Sequence, residues 1–110
     1  MGKSEYRKWD LPPTVVQLVV DMCKDYDRRN VAIAFKTASE EVIEAYKRTN
    51  GIIDNALQTV EKPLRRDMLN DIILNRGYNF SPTSPIVSKC TYYLRKRQIV
   101  YTIAKQMFLI

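Results

Sequence analysis

Apolar residues recur with the period of an α-helix in four segments of the chain. The first segment opens with Pro12 and Pro13, which suit a first helical turn because the amide hydrogens of that turn have no partner. The stripe that follows consists of Val16, Val19, Val20, Cys23 and Tyr26. The pattern predicts a helix but leaves open whether it ends near Asn30 or continues through the sequence VAIAF.

The clearest periodicity predicts a helix over residues 38–60, where apolar positions keep a 3.6-residue spacing for about five turns. Thr37 and Glu40 have the spacing of a capping box at its start. The next segment, EKPLRRDMLNDIILNRG, predicts a helix that begins at Pro63. We expect that helix to stop at Gly77, in the left-handed conformation that glycine tolerates best.

The stretch YNFSPTSPIVS contains Pro82 and Pro85, which exclude a continuous helix, and its apolar side chains indicate an ordered connector. The last helix is predicted to begin near Ser88, with the hydroxyl of Ser88 or Ser84 as its N-cap. These patterns predict one all-α domain over residues 1–110, a small bundle of four to five helices, with residues 1–12 as a flexible arm.

The composition is that of a soluble globular domain, with 45% apolar and 27% charged residues in 110 positions. No apolar run approaches the ~20 residues of a membrane span, and the start of the chain lacks the features of a signal peptide. Cys23 and Cys90 are far apart and form no metal-ligand motif, which is typical of buried free thiols in a reducing compartment. We therefore expect a cytoplasmic protein that does not contact membranes.

The net charge of +6 comes entirely from residues 61–110, because the charges of residues 1–60 cancel. From Arg76 onward the chain has no acidic residue. A one-sided positive field of this kind suits a polyanion such as double-stranded DNA. A basic surface that only keeps the protein soluble is the alternative interpretation.

The last helix combines an apolar stripe with a basic first half, and Lys96 falls on that stripe. An unpaired charge buried there would be costly, so we expect only the C-terminal half to be buried and the first half to project into a DNA major groove. The candidate DNA-binding residues are Ser88, Lys89, Thr91, Tyr92, Arg95, Lys96 and Arg97. Alternatively, the alkyl chains of Lys89 and Lys96 lie on apolar surface while their ammonium groups stay in water, and Tyr92 and Tyr93 are residues at the rim of the core.

The motifs TYY, RKR and IVYTIAKQMFLI in this closing segment resemble the C-terminal end of phage-encoded transcriptional regulators of the RinA/ArpU-like type. The resemblance implies a helix-turn-helix similar to sigma factor region 4 within residues 63–110, DNA binding, and control of late genes in a phage or prophage. It also implies RNA polymerase as a further partner. By position, Thr91, Tyr92, Arg95, Lys96 and Arg97 would face DNA, and Ile99, Ile103 and Met107 would anchor the helix.

The connector departs from this family pattern, because a standard helix-turn-helix joins its helices by a turn of roughly three to four residues. Enzymatic activity and bound cofactors are not expected, since the chain has no histidine, no glycine-rich phosphate loop and no metal-ligand cluster. A helical adaptor or assembly protein of a phage, without DNA binding, is the alternative function. A homodimer is possible through the C-terminal tail at residues 107–110 or through the helix at residues 38–60.

Overall fold

Five α-helices make up most of the computed structural model, which describes residues 10–82 and 87–110. The helices are α1 (Pro13–Lys24), α2 (Tyr26–Phe35), α3 (Glu40–Leu57), α4 (Arg65–Ile73) and α5 (Lys89–Gln106). Short 3₁₀ turns lie at Lys62–Leu64 and Tyr78–Phe80, and the described residues contain no strand. The predicted all-α bundle is confirmed.

The first apolar segment forms two helices, with a break at Asp25 (φ −92°, ψ 4°). The break comes earlier than Asn30, and the second helix includes the sequence VAIAF and ends at Phe35. Lys36 then adopts the left-handed conformation with φ 51°. Of the predicted flexible arm at residues 1–12, residues 1–9 lie outside the described residues, whereas Leu11 is half-buried against the core.

Two predicted helix ends are wrong. The N-cap of α3 is Ser39, whose hydroxyl accepts a hydrogen bond from the amide of Val42 at 3.4 Å, so Thr37 forms no capping box there. Helix α4 ends at Ile73, and the left-handed residue after it is Asn75 (φ 53°). Gly77 has extended backbone (φ −90°, ψ 175°), and asparagine provides the left-handed residue because it tolerates positive φ better than most residues do.

Four helices surround the main core, with α5 packed on α1 and α3, and α1 packed also on α4. Both halves of α5 contribute to this core, since Tyr92, Ile99 and Ile103 are all 0% exposed. Burial of Ile99 and Ile103 agrees with their expected anchoring role, and Met107 is partly buried against the same core. Because Tyr92 lies in the first turn, one side of α5 is buried along the length of the helix, and its first half does not project from the domain as expected.

A two-helix hairpin extends beyond this core. We call residues 27–50 the arm; they comprise most of α2 and the N-terminal half of α3. Ala32 and Ile43 are buried between the two arm helices but do not belong to the main core. The core contains α3 residues only from Ile52 onward, so the arm is a separate two-helix layer.

The two cysteines are free and differ in exposure. Cys23 is buried as expected, and burial raises the pKa of its thiol to about 11. Cys90 is exposed on the first turn of α5, so the prediction of a second buried thiol is wrong. None of the described helices is both long and apolar enough to cross a membrane.

This difference predicts selective alkylation. Iodoacetamide at pH 8 is expected to modify Cys90 in the folded protein and leave Cys23 intact, because a buried thiol of raised pKa provides almost no accessible thiolate. Mass spectrometry of the intact protein measures one adduct when native and two when denatured. The Cys90→Ser variant is the control and should gain no adduct when native. Rapid modification of that folded variant would contradict the burial of Cys23.

Candidate nucleic-acid interface

Helix α5 begins at a local hydrogen-bonded cap. The Ser88 hydroxyl oxygen accepts from the Thr91 amide at 3.2 Å, and the two side-chain hydroxyls are 2.9 Å apart. Ser88 is therefore the N-cap of α5, as predicted, while Ser84 lies outside the described residues. Ser88 and Thr91, both predicted to contact DNA, therefore make hydrogen bonds that stabilise the first turn of α5. Ser88 is exposed and Thr91 is half-buried.

Tyr92 is buried and does not face a ligand. Its hydroxyl lies 3.0 Å from the Oδ2 atom of Asp71 and 3.1 Å from the carbonyl oxygen of Arg76, two acceptors that share its hydrogen. Its ring meets the rings of Tyr78 and Tyr93 edge to face, at centroid distances of 5.5 and 5.1 Å. Burial and the nearby Asp71 carboxylate raise the pKa of Tyr92 above its usual range. The expectation that Tyr92 faces DNA is wrong, because this side chain belongs to the core.

Lys96 lies on the buried stripe of α5, as the helical spacing indicates, but its charge is not unpaired. Its Nζ atom donates a hydrogen bond to the carbonyl oxygen of Arg76 at 2.6 Å and lies 5.8 Å from the centroid of the Tyr92 ring. Burial lowers the pKa of Lys96, and the charge of Asp71 partly opposes that shift. The expected projection of Lys96 from the domain is therefore wrong, because the chain after α4 folds over the ammonium group.

The remaining predicted residues are divided between the body and the surface. Arg95 is half-buried and donates a hydrogen bond from Nη1 to the carbonyl oxygen of Thr59, just after α3. Lys89 and Arg97 are exposed. Of the seven predicted site residues, only Ser88, Lys89 and Arg97 are exposed, and only the last two carry a charge.

A buried polar cluster around Asp71 was not predicted. This carboxylate is 0% exposed and accepts hydrogen bonds from Nε of Arg76 at 2.8 Å, from the Tyr92 hydroxyl and from the Ser81 hydroxyl. The cluster joins α4, the connector and α5. The sequence contained one signal for it, an acidic residue three positions after Met68 and next to Ile72 on the buried side of α4.

The solvent-facing side of α5, here called the outer face, carries positive charge. It consists of the residues Lys89, Cys90, Leu94, Arg97, Gln98, Tyr101 and Lys105, which are exposed or half-exposed. The helix contains no acidic residue. Within the described part of the chain, no group of three or more Cys, Asp or Glu residues could hold a metal ion. The chemistry available at this surface is therefore electrostatic attraction and hydrogen-bond donation to an anion.

The connection between α4 and α5 is not the short turn of a standard helix-turn-helix. It spans residues 74–88 and includes the 3₁₀ turn at Tyr78–Phe80, and residues 83–86 within it lie outside the described residues. The hydrogen bond from Tyr92 to Asp71 connects the two helices and the one to Arg76 connects α5 to the connector, while α5 packs mainly on α1 and α3.

Comparison with protein-family models, with curated proteins and with solved structures finds no match to this chain. The assignment of function therefore depends on the surface described above and on the resemblance of the closing segment.

Proposed function

We propose that this protein is a DNA-binding transcriptional regulator of a phage or prophage, which contacts duplex DNA through the N-terminal half of the outer face of α5. The observation that supports this most strongly is the location of the positive charge. All of the net charge of +6 lies in residues 61–110, and Lys89 and Arg97 expose two of those charges in the first half of α5. The resemblance of the closing segment to RinA/ArpU-like regulators points to the same function, with RNA polymerase as a further partner.

The contact residues in this proposal differ from those predicted from sequence. Lys89 and Arg97 interact with DNA, lysine as a point charge on a phosphate and arginine with either a phosphate or a guanine edge. The start of α5 adds a favourable potential for phosphate, since amide hydrogens at a helix N-terminus point outward. Tyr92, Arg95 and Lys96 act indirectly: their hydrogen bonds to Asp71, Thr59 and Arg76 fix the position of the helix.

The proposal predicts position-dependent losses of affinity. Lys89→Ala and Arg97→Ala are each expected to weaken DNA binding roughly tenfold. Each should also reduce the slope of log affinity against log salt concentration by about one, because one fewer phosphate contact releases one fewer counterion. Lys105→Ala is the matched control: it removes one exposed charge from the same helix, about 24 Å along the axis from Lys89. This variant should change affinity much less, because its position lies outside the contact.

Fluorescence anisotropy with duplexes from the flanking genomic DNA measures these affinities, and selection from random duplexes identifies the preferred sequence. Absence of binding at about 50 mM salt would reject the proposal, since electrostatic binding is strong under that condition. Equal losses of affinity for Lys89→Ala, Arg97→Ala and Lys105→Ala would contradict a specific contact at the first half of α5 and would indicate non-specific electrostatic attraction.

A second candidate function is a helical adaptor in a phage assembly. The observation in its favour is the number of large apolar side chains at the surface, among them Leu74, Phe80 and Phe108 at 62%, 78% and 91% exposure. Light scattering after size-exclusion chromatography distinguishes the two functions. Large defined assemblies that form without DNA binding would favour the adaptor.

A further inference from the structure

An open cavity of about 290 Å³ lies between the start of α1 and one side of α5. Its apolar walls are the side chains of Leu11, Val16, Tyr93 and Val100. The charged residues that line it are Asp10, Lys96 and Arg97. Cavities that bind drug-sized molecules usually measure roughly 300–1,000 Å³, so this one has room for a compact molecule. A DNA duplex is far too wide to enter it.

Helical spacing forms the α5 side of the cavity. Four residues at positions i, i+3, i+4 and i+7 share one face of the helix, namely Tyr93, Lys96, Arg97 and Val100. The Tyr93 hydroxyl oxygen accepts a hydrogen bond from the amide of Tyr78 at 3.2 Å, which fixes this side chain to the connector. Val100 is buried in the main core. This side of the cavity is therefore already ordered, and a ligand does not have to order it on binding.

Lys96 provides the ammonium group of the cavity, and the protein uses only part of its capacity for hydrogen bonds. An ammonium group has three N–H donors. In the described part of the chain, the carbonyl oxygen of Arg76 is the one acceptor of Lys96, whereas the nearby Asp71 carboxylate is paired with the Arg76 side chain at 2.8 Å. Because Lys96 is half-buried, water competes weakly for the remaining donors. An anion therefore gains more from them than it would at the open surface.

The charges along the cavity indicate which ligand fits it. Two of the three charged lining residues are basic, and the acidic one, Asp10, is exposed. A neutral apolar ligand would cover the walls but leave the ammonium group without an anion. A doubly charged phosphate would lose more hydration than a carboxylate does on entry to a site with apolar walls. A single carboxylate attached to an alkyl or aryl group matches both the charge and the walls.

We infer that this cavity is a binding site for a small apolar carboxylate. The ammonium group of Lys96 binds the carboxylate, and the walls around Val16 and Tyr93 contact the apolar body of the ligand. Arg97, which is exposed at the edge of the cavity, adds to the positive potential that attracts the anion. The inference goes beyond DNA binding and does not depend on it, because the ligand lies between α5 and the start of α1.

Isothermal titration calorimetry without DNA tests the site with two probes of closely similar shape, the anion 2-naphthoate and the neutral 2-naphthamide. The wild-type protein is expected to bind 2-naphthoate with a dissociation constant on the order of 0.1 mM, and to bind 2-naphthamide roughly tenfold more weakly. Lys96→Met should weaken 2-naphthoate binding roughly tenfold and change the affinity for 2-naphthamide by less than about twofold, because only the charged contact is lost. Lys105→Met is the matched control and should leave both affinities unchanged, since Lys105 is exposed on the same helix and does not line the cavity.

Val16→Phe is a second variant, which fills the cavity from α1 without removing a side-chain hydrogen bond. It should weaken the binding of both probes at least roughly tenfold, and circular dichroism checks that it remains folded. This variant keeps the test decisive where Lys96→Met loosens the connector. Absence of saturable 2-naphthoate binding up to about 2 mM would overturn the inference, and so would equal affinities for the two probes. Unchanged binding by folded Val16→Phe would also overturn it, because the probe would then occupy another surface.

Discussion

Replacement of Asp71 by alanine is expected to lower the free energy of unfolding by about 3 kcal/mol. The carboxylate is fully buried and accepts hydrogen bonds from three side chains, so the change leaves those donors with fewer partners in an interior site. The Arg76 side chain, which is 30% exposed, regains part of its hydration, and this keeps the loss at the lower end of the range for broken buried ion pairs. The connector and the first turns of α5 should loosen most.

Urea unfolding at a fixed protein concentration measures the global loss, and amide hydrogen exchange at residues 78–81 measures the local one. Asp67→Ala provides the control, because Asp67 is in the same helix but only half-buried; this change is expected to stay within about 0.5 kcal/mol. Tyr92→Phe removes one hydroxyl from the cluster and should cost about 1 kcal/mol. If Asp71→Ala lowered the free energy of unfolding by less than about 1 kcal/mol, the carboxylate would not be what holds the connector to α5.

The features that the sequence predicted well are those fixed by neighbours within one or two helical turns. The apolar period of residues 38–60 identified the buried side of α3, including Ile53, Ala56 and Leu57. The stripe of α5 was identified in the same way, and the hydroxyl of Ser88 marked the start of that helix. Such signals are local, since side chains three or four residues apart share one face of a helix.

The predictions from sequence are wrong where the hydrogen-bond partner of a side chain lies in a distant part of the chain. Helical spacing correctly places Lys96 on the buried stripe, but nothing near it in sequence indicates that the carbonyl of Arg76 accepts a hydrogen bond from its ammonium group. Because an unpaired buried charge is costly, the sequence alone therefore predicts a projecting helix start. The sequence alone also places Tyr92 among the DNA-facing residues, because its hydrogen-bond acceptors lie 16 and 21 residues away. The exposed charges Lys89 and Arg97 remain as candidates for DNA contact.

The break between α1 and α2 has an equally distant cause. In an unbroken helix the carbonyl of Met22 would accept from the amide four residues later. The guanidinium of Arg29 now donates to that carbonyl, and its Nε atom donates to Oδ1 of Asn50 on α3 at 2.7 Å. Asn50 in turn donates to the carbonyl of Tyr26 at 3.0 Å and to Oδ1 of Asn30 at 2.8 Å. This cluster attaches the base of the arm to the end of α1.

Arg29→Ala is therefore expected to lower the free energy of unfolding by about 3 kcal/mol, because it removes the donor to the buried Asn50 side chain and to the partly buried Met22 carbonyl, and leaves a cavity at the base of the arm. Arg28→Ala is the control, because the Arg28 side chain is exposed and its ion pair with Asp25 is screened by solvent. Little change in the free energy of unfolding is expected for this variant. A double-mutant cycle with Asn50→Ala, measured by urea unfolding, should give a coupling of about 1 kcal/mol. Additive losses would show that Arg29 and Asn50 act separately, and the hydrogen bond between them would then not be what fixes the direction of the arm.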